Sequence, residues 1–141
     1  MAKKSDVTNL ISSVPLFAEF SKRDLRKLGD VLREEWFSAG QDIIREGDAG
    51  ARFYVIAEGR AKIITKGRAR RTLGPGGFFG EMSLIDGSPR TATVRAETQV
   101  KALSLSRVAF RSLLEENWSM TQRVLADLCA RIRSLDTSPT N

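Results

Sequence analysis

All but one of the chain's 11 glycines fall in one stretch, at positions 40, 47, 50, 59, 67, 74, 76, 77, 80 and 87. They cut it into runs too short for a helix of ordinary length, and the runs carry the alternation of half-buried strands. The runs that read as strands are 35–38, 42–45, 52–58, 60–65, 69–73, 92–96 and 98–105. Short strands with a turn at nearly every end describe a small barrel or jelly roll. On either side the period becomes helical. A short helix is expected over 6–12, with Val7, Leu10 and Ile11 on one face, and Pro15-Leu16-Phe17 is a turn that buries Leu16 and Phe17. Ser21, with Asp24 three residues on, caps a helix reaching about Arg33 through Leu25, Leu28, Val31 and Leu32. Ser106 caps another, with Val108, Phe110, Leu113 and Leu114 inward. A break near Asn117 precedes a last helix over 118–135, striped by Val124, Leu125, Leu128, Ile132 and Leu135.

The chemistry concentrates in residues 74–95. A glycine-rich loop ends at Gly80, Glu81 follows at once, and Met82, Leu84 and Ile85 suit about one helical turn. Asp86-Gly87-Ser88-Pro89 ends that turn, and Arg90-Thr91 leads into Ala92-Thr93-Val94. A helix N-terminus offers unpaired N–H groups, around Met82 and Ser83 here. An arginine adds a bidentate donor for phosphate, and a carboxylate accepts from neutral hydroxyls. A ligand with one phosphate and a nearby sugar hydroxyl satisfies all three. Each residue also has a plainer use. Arg90 can be a surface or salt-bridged arginine, Glu81 a helix N-terminal acid, and Thr91 a strand threonine facing solvent.

This stretch resembles the phosphate-binding cassette of the cyclic nucleotide-binding domain family, at Phe79, Gly80, Glu81, Leu84, Arg90, Ala92, Thr93 and Val94. The upstream run from Gly40 to Gly50 and Phe53 to Gly59 is similar to the first hairpins of the same family. Two positions depart from it: Ala51, where an acid is frequent, and Lys62, where some kinase regulatory subunits carry an acid that pairs with the phosphate arginine. The resemblance implies a mainly β fold, an eight-stranded, jelly-roll-like β-roll with N-terminal helices, a short phosphate-binding helix and two C-terminal helices. It implies a single domain over 1–141: helical over 1–34, β-roll over 35–105 with its cassette at 79–94, and lid or hinge helices over 106–135. It also implies ligand contacts at Gly80, Glu81, Met82, Ser83, Arg90, Thr91 and Ala92. Arg90 would hold the cyclic phosphate and Glu81 the ribose 2′-hydroxyl. Thr91 occurs with cyclic GMP and cyclic AMP alike, so it does not decide the base. The last helix caps the base in this family, which makes Leu128, Arg131, Ile132 and Leu135 candidate base contacts. Ile43, Phe53, Val55, Ile63, Phe79, Leu84, Val94 and Leu103 read as core.

The chain has no histidine, one cysteine (Cys129) and a formal net charge of +6. Without histidine there is no His-based metal centre or His-activated nucleophile; no metal, cofactor or catalytic residue is expected, and an enzyme such as a phosphodiesterase is strongly disfavoured. A lone cysteine fits a reducing compartment, no run has the apolar length to cross a membrane, and 1–5 lacks the apolar core of a secretory signal. A cytoplasmic location follows as the expectation. The positive charge suits an anionic ligand; no DNA-reading element is present. The basic run Lys66, Arg68, Arg70 and Arg71 is either a solvated hairpin tip or a site for an anionic partner. The spacing of Leu125, Leu128, Ile132 and Leu135 is heptad-like and also suits a homodimer or an effector protein. The reading reached is a regulatory module that binds cyclic AMP, or cyclic GMP, and moves its C-terminal helices, as a bacterial stand-alone or excised unit. The alternatives are the ligand-binding fragment of a larger transcription regulator, channel or enzyme, and an adaptor that binds no nucleotide.

Overall fold

The computed structural model describes residues 9 and 11–136. Asn9, Ile11 and Ser12 are helical, while Val7 and Leu10 of the expected first helix lie outside the described residues. A 3₁₀ turn, Pro15–Phe17, precedes helix α1 (Lys22–Val31). Ser21 caps α1 as a capping box: its hydroxyl accepts from the Asp24 N–H, and the Asp24 carboxylate accepts from the Ser21 N–H. Eight strands follow: β1 (Arg33–Phe37), β2 (Asp42–Ile44), β3 (Arg52–Glu58), β4 (Ala61–Thr65), β5 (Arg68–Leu73), β6 (Phe78–Phe79), β7 (Thr93–Ala96) and β8 (Val100–Ser106). Helix α2 (Glu81–Asp86) lies between β6 and β7, and α3 (Arg107–Glu116) and α4 (Trp118–Asp136) follow β8.

The strands form two antiparallel four-stranded sheets, ordered β1-β8-β3-β6 and β2-β7-β4-β5. This is the mainly β roll with helices at both ends that the sequence implied. β3 and β8 are buried on both faces, so both of their alternating sets are apolar. Phe53, Val55, Leu103 and Leu105 face a core shared with Leu16, Phe17, Leu28, Phe110, Met120 and Val124 from the helices. Tyr54, Ile56, Val100 and Ala102 face the core between the sheets, with Ile43, Phe79 and Val94. Two stacked aromatic pairs mark these layers. Phe53 lies on Phe110 at 4.6 Å between ring centroids, and Tyr54 on Phe79 at 5.2 Å.

Several local expectations are corrected. β1 begins at Arg33 and α1 ends at Val31, each two residues earlier than the pattern indicated. β6 has only two residues and so no period to read; its place comes from pairing Tyr54 with Phe79 on β3. Val108 points to solvent at 75% exposure, because Phe110 and Leu113 take the inward positions of α3. On α4 the packed positions are Met120 and Val124. Leu125 sits about 100° around the helix from Val124 and is exposed, as are Val31 on α1 and Ile132 and Leu135 further along α4. Ile63, expected in the core, is only partly buried and packs at its margin. No helix among the described residues is long and apolar enough to cross a membrane.

Candidate ligand-binding cavity

A cavity of about 880 Å³ opens between the second sheet, the α2 segment and α4. Gly80, Glu81, Met82 and Ser83 line it from the start of α2, and Arg90, Thr91 and Ala92 from the loop before β7. Leu128, Arg131, Ile132 and Leu135 line it from α4. The local chain explains the first group. β6 ends at Phe79, and Gly80 turns the backbone at φ +94°, a left-handed conformation that side chains other than glycine rarely adopt. A Cβ there would also stand 2.9 Å from Arg90 Nη1 and 3.0 Å from the Arg52 carbonyl oxygen.

Arg90 is 5% exposed. Its backbone is fixed first: its N–H donates to the Asp48 carbonyl and its carbonyl accepts from the Gly47 N–H, both at 2.8 Å. Its guanidinium then donates from Nη1 to the Gly80 carbonyl at 2.8 Å and from Nη2 to the Arg52 carbonyl at 2.6 Å. The Arg52 carbonyl is itself well placed, since the Arg52 side chain donates to the Ser104 hydroxyl and carbonyl at 2.8 and 3.2 Å. Two of five guanidinium donors are thus used, both on neutral carbonyls. Among the described residues no carboxylate pairs with Arg90. Burial pushes its guanidinium below the ordinary arginine value, and the neighbouring Tyr54 and Glu81 oppose that shift. Arginine's ordinary value is high enough that it stays charged. The cavity therefore holds a fixed cation that no carboxylate touches directly, with Glu81 acting on it only through space.

Glu81 is 1% exposed. Arg131 Nη1 stands 2.9 Å from its Oε1, and Arg131 Nη2 is 2.9 Å from Asp127 Oδ2. The approach to Glu81 is an ion pair by distance but not an aligned hydrogen bond, and both Glu81 oxygens lack a hydrogen-bonding partner. Burial pushes the Glu81 carboxyl above its ordinary range, with Arg131 opposing. An acid raised in this way holds its proton more firmly folded than unfolded. Between the ordinary glutamate value of about 4.3 and the raised folded value, the native state binds more protons. Stability therefore falls as pH rises through that window. Replacing Glu81 with glutamine is expected to flatten the fall, and melting temperatures of both proteins from about pH 4 to about pH 8 measure it.

Ser83 is buried, Met82 and Thr91 are exposed at the rim, and Ala92 is half-buried. Arg131, proposed from the sequence to meet a purine, has its guanidinium on Glu81 and Asp127, with Met82 Sδ at 3.9 Å. Two features were missed in the sequence. Gly50 packs so tightly that a Cβ there would lie 2.4 Å from Ser83 Cβ and 3.2 Å from Arg90 Cζ, and its carbonyl accepts from Arg107 Nη2 at 2.9 Å. Only a glycine in a run of turn residues marked it. Arg70 and Arg71 of the basic hairpin also line the cavity. Their place depends on how β5 pairs with β4, which no local pattern shows.

Residues 34–117 match the family model described as the cyclic nucleotide-binding domain. The chain belongs to that family. The domain is 39% identical over 107 residues to a cAMP-dependent protein kinase regulatory subunit of Eremothecium gossypii, covering 75% of this chain and 23% of that protein. It is 42% identical over 104 residues to a cyclic nucleotide-gated potassium channel of Rhizobium etli, covering 74% and 29% respectively. The chain thus spans under a third of either relative. Among solved structures, it is similar to that of Sp-2Cl-cAMPS bound to PKAR CBD2, with TM-score 0.82, 25% identity, and 98% and 94% of the two chains covered.

Proposed function

We propose that this domain is a non-enzymatic sensor that binds a cyclic nucleotide, cyclic AMP foremost, and signals through α3 and α4. The observation that carries the reading is the buried Arg90, held by two carbonyls, without a carboxylate partner, beside a Glu81 whose oxygens lack aligned donors. A cyclic phosphate diester supplies one negative charge and two free oxygens to the guanidinium fork. The ribose hydroxyl supplies the donor that Glu81 lacks. Thr91 and Ala92 line the same cavity, and Leu128, Ile132 and Leu135 add apolar surface to it from α4. Ile132 and Leu135 are largely exposed without ligand, so a purine covering them gains apolar burial. That gain is available only where α4 sits over the base, and ligand therefore shifts the population of α4 positions toward closure. Cyclic AMP is favoured because the kinase regulatory subunit above is named for it and the matching structure holds Sp-2Cl-cAMPS. We read it as a cytoplasmic module that reaches its effector through its C-terminal helices.

Titration calorimetry with cyclic AMP, cyclic GMP, 5′-AMP and adenosine tests this. Cyclic AMP is expected to saturate one site and to raise the melting temperature, with cyclic GMP weaker. The linear 5′-AMP carries an extra charge on an open phosphate, and adenosine leaves Arg90 unpaired; both are expected to bind poorly. Absence of heat and of any melting shift at saturating cyclic AMP would favour the nucleotide-free adaptor.

A further inference from the structure

We propose that Arg111 is a positioning residue for the binding site, holding α2 from its C-terminal end and tying it to α3. The proposal rests on the nucleotide-binding reading above. α2 has only six residues, so about half of its backbone groups, the Leu84 and Ile85 carbonyls among them, lack partners within the helix. Gly87 N–H satisfies the Ser83 carbonyl. The Leu84 carbonyl accepts from Arg111 Nε at 3.2 Å and Nη2 at 3.1 Å, and the Ile85 carbonyl lies 3.5 Å from Nη2. A fork on the last carbonyls of a helix is favourable in both hydrogen bonding and dipole sense. Arg111 comes from the middle of α3, whose orientation is set by Phe110 on Phe53 and by buried Leu113. One turn earlier Arg107 reaches the Gly50 carbonyl, on the loop that packs against Ser83 and Arg90. The same helix thus holds the C-terminal end of α2 directly and the loop packed against Ser83 and Arg90 through Gly50. If α2 slides, Glu81 to Ser83 slide with it, and α3 follows through this fork. Leu84 anchors α2 in the core, so the segment stays folded without the arginine, but its register against Arg90 loosens.

The test is calorimetry with cyclic AMP on the parent, Arg111→Ala, Arg111→Lys and Arg123→Ala, with ligand-free melting and amide hydrogen exchange. Arg123 is an exposed arginine on α4 and controls for the loss of a charge. Arg111→Ala is expected to bind about tenfold more weakly, with faster exchange at the Met82 and Ser83 amides. Lysine restores one donor and is expected to recover part of the loss, while Arg123→Ala binds as the parent does. Parent affinity in Arg111→Ala, no recovery in Arg111→Lys, or an equal loss in Arg123→Ala overturns the proposal. Should Arg111→Ala fail to fold, Arg111→Met, which keeps the apolar stem and has no donor, takes its place under the same criteria. A parent that binds no cyclic nucleotide overturns the nucleotide reading itself, a result these variants cannot imitate.

Discussion

Arg90→Ala is expected to weaken cyclic AMP binding by roughly 2–5 kcal/mol, the cost of removing one partner of a desolvated charge pair, at least about thirtyfold in affinity. The ligand-free protein is expected to change much less. The side chain makes two hydrogen bonds, to the Gly80 and Arg52 carbonyls, worth about 1 kcal/mol each. Against that stands the cost of burying a cation whose hydrogen bonds all go to neutral carbonyls. The two oppose each other in the empty protein and do not in the complex, where the phosphate supplies the missing charge. Arg90→Lys keeps the charge but loses the fork, and its affinity is expected between the two. Calorimetry read beside ligand-free melting separates these effects. A variant that keeps the parent's affinity would show that the phosphate lies elsewhere.

The second large effect is expected at a residue that need not touch ligand. Gly50→Ala places a Cβ 2.4 Å from Ser83 Cβ and 3.2 Å from Arg90 Cζ. Neither neighbour can swing away: Ser83 Cβ is one bond from the α2 backbone, and the Arg90 guanidinium is locked between two carbonyls. The added methyl must push α2 and the Arg90 loop apart. Overpacking of this kind costs about 1–3 kcal/mol of stability. Because it separates Glu81 from Arg90, affinity is expected to fall about tenfold or more as well. Ser83→Gly removes the closer neighbour, so the double variant should recover part of both losses. Additive losses in the double variant would locate the damage elsewhere.

Arg90 and Gly50 differ in how local their signals are. Arg90 and Glu81, which both line the cavity, stand out in the sequence because their neighbours form one contiguous stretch, Gly80 to Val94, whose pattern is local. The strands were legible for the same reason: alternation and glycine breaks act within a few residues. β6 was not, because two residues carry no period and pairing with β3 alone makes them a strand. Val108 and Leu125 were misplaced because a helical stripe says which residues share a face, not which of two adjoining faces meets the core. Arg131 is similar. Its sequence position put it on the last helix, but its pairing with Glu81 spans 50 residues of chain and exists only because α4 lies across the cavity.

The amino-acid sequence by itself determined the roll, its helical flanks and the chemical character of the cassette, since these follow from propensity, turn geometry and the donors that each side chain carries. Only the tertiary structure decided that Arg90 is buried with no carboxylate in contact, that Glu81 is shielded beneath Arg131, and that α3 reaches the Gly50 loop through Arg107 and the end of α2 through Arg111. Burial and the absence of a partner are properties of everything around a group. They come into being when distant segments close over it, and no pattern local to Arg90 carries that closure.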